Sequence, residues 1–207
     1  MKLIRHFDYF LTNTVNLDQT RLDRLKESSD AVYEALKNDK RFGPLIHGMI
    51  RQGSWAHRTI IGPLPGHEFD ADFLLKLAEV PDWAGRPKTY IEELGEALAR
   101  IKPYTGMPRE NKCRCVRLGY KGNFHLDIVP YVILGDGSEF IVNADEDEWE
   151  RTNPTGFTQW MKDKDDIAGG NLRRVIRIMK FLRDHKGTFE GTKSIILTTI
   201  LGNQVQR

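Results

Sequence analysis

Cysteine is almost missing from this chain: Cys113 and Cys115 are the only two in 207 residues. That is too few for a disulfide scaffold, and a reduced, cytoplasmic setting is the expectation. Long apolar runs are also missing. Nothing approaches the ~20 residues a membrane-spanning helix needs. Met1-Lys2-Leu3-Ile4-Arg5-His6 passes at once into mixed polarity, unlike a secretory leader, so no membrane association is expected. Neither charge sign is in excess: 31 Lys and Arg face 29 Asp and Glu, a formal net charge of +2. Bulk binding to duplex nucleic acid usually shows a clear basic surplus, so any basic function must be local. No internal repeat or low-complexity segment occurs. What remains is the profile of a soluble globular protein, 40% hydrophobic and 29% charged. Its length suits one sizeable core, or one domain with part of another.

The most informative stretch runs from Arg51 to Leu77. It opens with Gly53-Ser54, crosses a Pro/Gly-rich loop and ends in the strand-like run Phe69-Asp70-Ala71-Asp72-Phe73-Leu74-Leu75. On a strand, Asp70 and Asp72 project from one face. Two carboxylates so close repel each other, and a buried strand gains nothing structural from them. A divalent cation resolves the conflict, and hard oxygen ligands suit Mg²⁺, with Mn²⁺ an acceptable substitute. Phosphoryl or nucleotidyl transfer is the chemistry this suggests. Gly53-Ser54 follows a strand and opens a helix, where free backbone N–H groups and a hydroxyl hold phosphate.

The elements read as follows. A short amphipathic segment precedes a helix from Leu17 to Asp39, with Leu22, Leu25, Val32 and Leu36 on its stripe, Asn16 as N-cap and Gly43-Pro44 as stop. Leu45 to Ile50 is a strand. Thr89-x-x-Glu92 reads as a capping box opening a helix with Ile91, Leu94, Leu98 and Ile101 inward. Lys112 to Tyr120 and Asn123 to Val132 read as a hairpin around Lys121-Gly122, and Glu139 to Val142 as a further strand. The acidic run Asp145 to Glu150 reads as a solvated loop or helix start. Leu172 to His185 is a helix with Leu172, Val175, Ile176, Met179 and Leu182 on its apolar face and Arg173, Arg177 and Lys180 along another stripe. Ser194 starts an apolar helix, Ile195 to Leu201. So apolar a helix needs packing partners, and few residues follow it; an N-terminal portion of a longer protein is the expectation.

A third carboxylate sits in Phe124-His125-Leu126-Asp127-Ile128-Val129-Pro130. Alone, Asp127 would be a hairpin-edge residue facing water; with Asp70 and Asp72 upstream, it is the third ligand of a two-metal cage. Cys113-Arg114-Cys115 lacks the four ligands of structural zinc and reads as core or half-buried thiols on a strand. His57 and His67 read as loop residues. Gln52 and Arg58, flanking the turn, are candidates to support the site. Arg109, Lys112, Arg114 and Arg117 form a local basic group. It suits either a solvated strand face or the attraction of an acceptor nucleotide or activating nucleic acid. Lys180 suits a solvated helix face as well as a phosphate contact.

Taken together, Gly53-Ser54, Asp70-Ala71-Asp72 and the strand Asp127 resemble the DNA polymerase β-type nucleotidyltransferase superfamily. Within it the chain is most similar to the cGAS/DncV-like nucleotidyltransferases, the bacterial second-messenger oligonucleotide synthases. The opening FDYFLTNTVNLDQTRLDRLKESSDAV is similar to their N-terminal segment and spine helix, His125-Leu126-Asp127-Ile128-Val129-Pro130 to their third-carboxylate strand, and Lys180 with Ser194 to their triphosphate-holding pair. The resemblance implies an α/β (α+β) polymerase β-like fold, a mixed sheet with flanking helices. Residues 1–165 would form the nucleotidyltransferase core, and 166–207 would begin a C-terminal helical lobe, with the nucleotide in the cleft between. It implies that Gly53 and Ser54 bind the donor triphosphate, that Lys180 and Ser194 contact the β/γ phosphates, and that Asp70 and Asp72 ligate both metals. Asp127 would ligate the catalytic metal and help deprotonate the attacking ribose hydroxyl. The implied activity is Mg²⁺-dependent joining of NTPs, ATP among them, into a cyclic or linear di- or trinucleotide with release of pyrophosphate, in bacterial anti-phage signalling. It leaves room for a nucleic-acid or protein activator, and for relatives that modify a tRNA or protein or only bind nucleotide.

Overall fold

The computed structural model describes residues 2–121, 124–189 and 191–206, which fall into two compact units. The first comprises residues 23–52 and 70–153 and holds the sheet. The second comprises residues 1–22, 53–69 and 154–207 and is helical.

In the sheet unit, seven strands share one mixed sheet: β1 Ile46–Gln52, β2 Phe69–Leu77, β3 Arg109–Asn111, β4 Val116–Tyr120, β5 Phe124–Ile133, β6 Glu139–Asn143 and β7 Glu148–Arg151. The order is β1-β2-β5-β4-β3, with β6 paired to β5 and β7 to β6. β5 is the most buried strand, since Leu126 through Val132 are all buried. Such a strand reads as a continuous apolar run rather than an alternating one. Pro130 has no N–H to donate. It falls between the residues paired to β4, ending at Ile128, and those paired to β6, starting at Tyr131.

Helix α2 spans Gln19–Lys37 and buries Leu25, Ser29, Val32 and Leu36, while Leu22 is only half-buried. Its cap is Asp18, whose carboxylate accepts the Arg21 N–H at 2.9 Å. Asn16 instead bridges to Ile61, so the expected N-cap is displaced by two residues. Gly43 stops the chain from rising further and tolerates no side chain: a Cβ there would lie 2.2 Å from the Lys37 carbonyl oxygen.

Helix α4, Thr89–Arg100, buries Tyr90, Ile91, Leu94, Ala97 and Leu98. The expected capping box is not formed. The chain already turns at Arg86–Lys88, so the Thr89 N–H bonds the Arg86 carbonyl, and the Glu92 carboxylate pairs with Arg86 at 2.9 Å. The single strand expected from Lys112 is broken by a tight turn at 112–115, closed by the Lys112 N–H on the Cys115 carbonyl. The Lys121-Gly122 turn lies, at Gly122, outside the described residues. The acidic run beyond Asp145 becomes a turn and then β7, not a solvated helix start.

In the helical unit, α1 (Lys2–Phe10) passes into a π turn, Leu11–Val15. It is followed by the short helix α3 (Gly53–Ala56), then α5 (Pro154–Ile167), α6 (Asn171–Lys186) and α7 (Ser194–Asn203). Leu11, Val15, Ile61 and Phe181 form one cluster, and Met161, Leu172 and Ile176 another. The buried face of α6 is turned from the expected one. Lys180 and Phe181 are inside, and Val175 is 42% exposed. No helix among the described residues is long and apolar enough to cross a membrane.

Because the Lys37 carbonyl is backbone and cannot yield, Gly43→Ala should destabilise the fold by about 1–3 kcal/mol. Gly85→Ala, where nothing lies within 4 Å of the added carbon, should be near neutral. Urea unfolding of both variants checks this.

Candidate active site

The acidic candidates lie in the sheet unit. In β2, Phe69, Ala71 and Phe73 point inward, leaving Asp70 exposed and Asp72 half-buried on the other face. The neighbouring strand β5 carries Asp127, which is only 7% exposed. Asp127 is thus an interior residue of a strand bonded on both sides, not a hairpin-edge residue facing water.

The next strand supplies what surrounds these carboxylates. Arg117 of β4 lies directly opposite Asp127. Its Nε donates to Oδ1 at 2.8 Å and its Nη2 to Oδ2 at 2.7 Å, a two-pronged pair. That bond raises the guanidinium's already high pKa, and the charge of Asp70 adds to the effect. Cys115 is buried; burial, with Asp127 and Asp72 close by, pushes its thiol up to about 12. All three aspartates therefore act on the one segment Cys115–Arg117.

Their chemistry fits a hard divalent cation, since each offers only carboxylate oxygens. Among the described residues, however, no three acidic, thiol or imidazole side chains are gathered as a ready cage. The Asp127 oxygens are held by a guanidinium, which here does the work of a cation.

A separate basic group lies in the helical unit. Gly53 adopts φ +59°, a left-handed conformation that favours glycine, and so turns the chain out of β1 into α3. Its neighbour Gln52 is the residue paired with Asp72. The Ser54 carbonyl accepts the Thr59 N–H at 2.8 Å, closing the loop that follows. Lys180 is 6% exposed, and its Nζ donates to the Thr59 carbonyl at 2.9 Å. Lys180 thus reaches the loop after Gly53-Ser54 rather than open solvent. Ser194, at the start of α7, accepts from Arg183 Nη1 at 3.1 Å.

Asp165 and Arg173 were not singled out as a pair by the sequence, yet they anchor this basic group. Asp165 is buried, accepts the Arg173 backbone N–H at 3.0 Å and so caps α6 from the preceding helix. It also takes Arg173 Nη1 at 2.6 Å, while Arg173 Nε donates to the His57 carbonyl. His57 is no surface loop residue: it is buried with its ring 5.2 Å from that of Phe157. Burial, with Arg173 and Lys180 close by, lowers its pKa to about 4.

Of the expected local basic group, Arg117 pairs with Asp127, Arg114 with Glu150 and Lys112 with Glu110. Those charges are committed within the sheet unit. The Cys113 thiol lies in the turn, bonded to Asn143 Oδ1 at 3.1 Å.

A profile of the Second Messenger Oligonucleotide or Dinucleotide Synthetase domain matches residues 1–165. The chain belongs to that synthetase family. It is 32% identical over 157 residues to a c-di-GMP synthase of Roseivirga ehrenbergii, covering 74% of this chain and 41% of that protein. The chain thus spans less than half the length of this curated relative. Among solved structures it is similar to the CD-NTase CdnG of Bradyrhizobium diazoefficiens in complex with GTP. There the TM-score is 0.75 and the identity 17%, over 93% of this chain and 67% of that one. It is also similar to the cyclic AMP-GMP synthase DncV of Vibrio cholerae with a linear intermediate. That match has a TM-score of 0.71 and 20% identity, over 97% of this chain and 72% of the other. The synthetase domain has the polymerase β-like nucleotidyltransferase fold expected from the resemblance.

His57 yields a pH dependence. Its pKa is lowered in the folded state, from 6.5 to about 4. As pH falls through that window, the unfolded chain takes up a proton that the folded protein refuses, so stability is lost. Above about pH 6.5 this contribution is level. His57→Phe, which keeps a ring against Phe157, should show a smaller loss between pH 7 and pH 4.5 when urea unfolding is measured across that range.

Proposed function

We propose that the protein is a divalent-metal-dependent nucleotidyltransferase that joins NTPs into a cyclic or linear di- or trinucleotide second messenger, releasing pyrophosphate. The observation that carries this reading is the pairing of β2, which carries Asp70 and Asp72, with β5, which carries Asp127, in a chain of the synthetase family. Asp70, Asp72 and Asp127 are the ligands for Mg²⁺, with Mn²⁺ acceptable. Such a cation neutralises charge on the reacting phosphate and aligns an in-line displacement.

Gly53, through its N–H, and Ser54, through its hydroxyl, hold the donor triphosphate, and Lys180 and Ser194 its β/γ phosphates. Arg177 adds positive potential. Burial and the nearby charges of Arg174 and Arg173 lower its pKa, and an anionic ligand would relieve that crowding. Asp127 accepts the proton of the attacking ribose hydroxyl. Residues 166–207 open a helical lobe. The name of the Roseivirga relative favours GTP among the substrates, beside the ATP expected from the family resemblance. A cytoplasmic role in anti-phage signalling completes the proposal.

The complete protein, incubated with all four NTPs and Mg²⁺, should release pyrophosphate and yield small oligonucleotides by mass spectrometry without any added tRNA or protein. A requirement for a macromolecular acceptor would overturn this. Asp70→Asn with Asp72→Asn should abolish turnover yet leave the fold as stable or more stable in EDTA, because two like charges are removed. Wild-type product from that variant would contradict the assignment.

Lys180→Met should weaken NTP binding by calorimetry. It should also lower stability by about 1–3 kcal/mol, because the Thr59 carbonyl loses its donor. Unchanged nucleotide affinity would remove Lys180 from the site.

A further inference from the structure

We propose that Arg117 is a latch on metal loading: it holds both carboxylate oxygens of Asp127 in the metal-free protein and must release at least one before a cation takes Asp127 as a ligand. This rests on the reading of Asp127 as a metal ligand. It goes further in assigning to a β4 arginine control over when that ligand becomes available.

Three features carry it. The first is occupancy. Arg117 and Asp127 are register partners on adjacent strands, and the guanidinium reaches both oxygens, at 2.8 and 2.7 Å. The lone pairs facing it are used, and a second cation on the same side would meet a like charge.

The second is asymmetry. The Asp127 side chain is 9% exposed and sits on the most buried strand, whereas that of Arg117 is 34% exposed. A buried carboxylate needs a counter-charge at all times. The long, more exposed partner is the one that moves aside, with its stem kept along the sheet.

The third is convergence. Strand β5, with Asp127, lies between β2, with Asp70 and Asp72, and β4, with Arg117, and the Asp70 charge acts on that guanidinium. Arg117 thus keeps the metal-free sheet stable and raises the concentration of metal needed to fill the site. It is a positioning residue, acting through Asp127.

The test is Mn²⁺ binding to the complete protein without nucleotide, by calorimetry and by the electron paramagnetic resonance signal of free Mn²⁺. Arg117→Gln should bind Mn²⁺ about tenfold more tightly than wild type, a modest coupling between two competing occupants. The same variant should melt lower than wild type in EDTA and gain more from added Mn²⁺. Arg117→Lys keeps the charge but cannot fork across both oxygens; its Mn²⁺ affinity should also exceed that of wild type. Should the Gln variant not fold without metal, the Lys variant carries the comparison.

Equal or weaker Mn²⁺ binding by both variants would overturn the latch. So would a tightening seen with Gln alone, which would reduce the effect to net charge. If wild type binds no Mn²⁺, or Asp127→Asn binds it as well as wild type does, the metal reading itself fails instead.

Discussion

A carboxylate buried inside a strand must be neutralised, and the sheet of this protein meets that requirement with an arginine from the next strand. Asp70 and Asp72 share the outward face of β2, and Asp127 lies inside β5. The interior of β5 is where charge is most expensive to leave alone, and Arg117 meets it there with two hydrogen bonds from the adjacent strand. Cys115, just before β4, stays a neutral thiol because burial and the neighbouring acids both disfavour its thiolate. The strand order β1-β2-β5-β4 thus brings the acids and their counter-charge side by side.

The helical unit carries the opposite charge by the same logic. Lys180 is buried with its ammonium on the Thr59 carbonyl, and Arg173 is fixed by Asp165 and by the His57 carbonyl. These bonds tie α6 to the loop that follows Gly53-Ser54. His57 remains neutral among these cations, since protonating it would add a third positive charge to a buried cluster. This loop follows Gly53-Ser54, to which the proposed function assigns the donor triphosphate.

Much of this was legible in the sequence. The Asp70-Ala71-Asp72 spacing declared a two-faced strand, and the run around Asp127 declared a second strand, whose burial between two neighbours only the fold reveals. Other features depend on backbone geometry that a motif does not reveal. Asp18 displaced Asn16 as the cap of α2, and the turn at Arg86–Lys88 undid the capping box at Thr89, because local backbone geometry overrode the motif. Helix α5 was missed, since Gly156 and its alternating Lys and Asp blur the apolar period. The apolar period of α6 points to Val175 as inward, but Lys180 and Phe181 take the inner face instead, because a carbonyl there accepts the Lys180 ammonium. The Arg117–Asp127 pair did leave a signal: the two residues stand equidistant in sequence from Gly122, so a hairpin about that position sets them opposite each other.

The most direct measurement is a crystal structure of the complete protein grown with Mn²⁺ and a non-hydrolysable NTP, with anomalous scattering recorded at the manganese edge. The account predicts anomalous density within coordination distance of Asp70, Asp72 and Asp127, with the Arg117 guanidinium withdrawn from at least one Asp127 oxygen. Manganese bound elsewhere, with Asp70 and Asp72 uncoordinated and Arg117 still on both oxygens of Asp127, would contradict it.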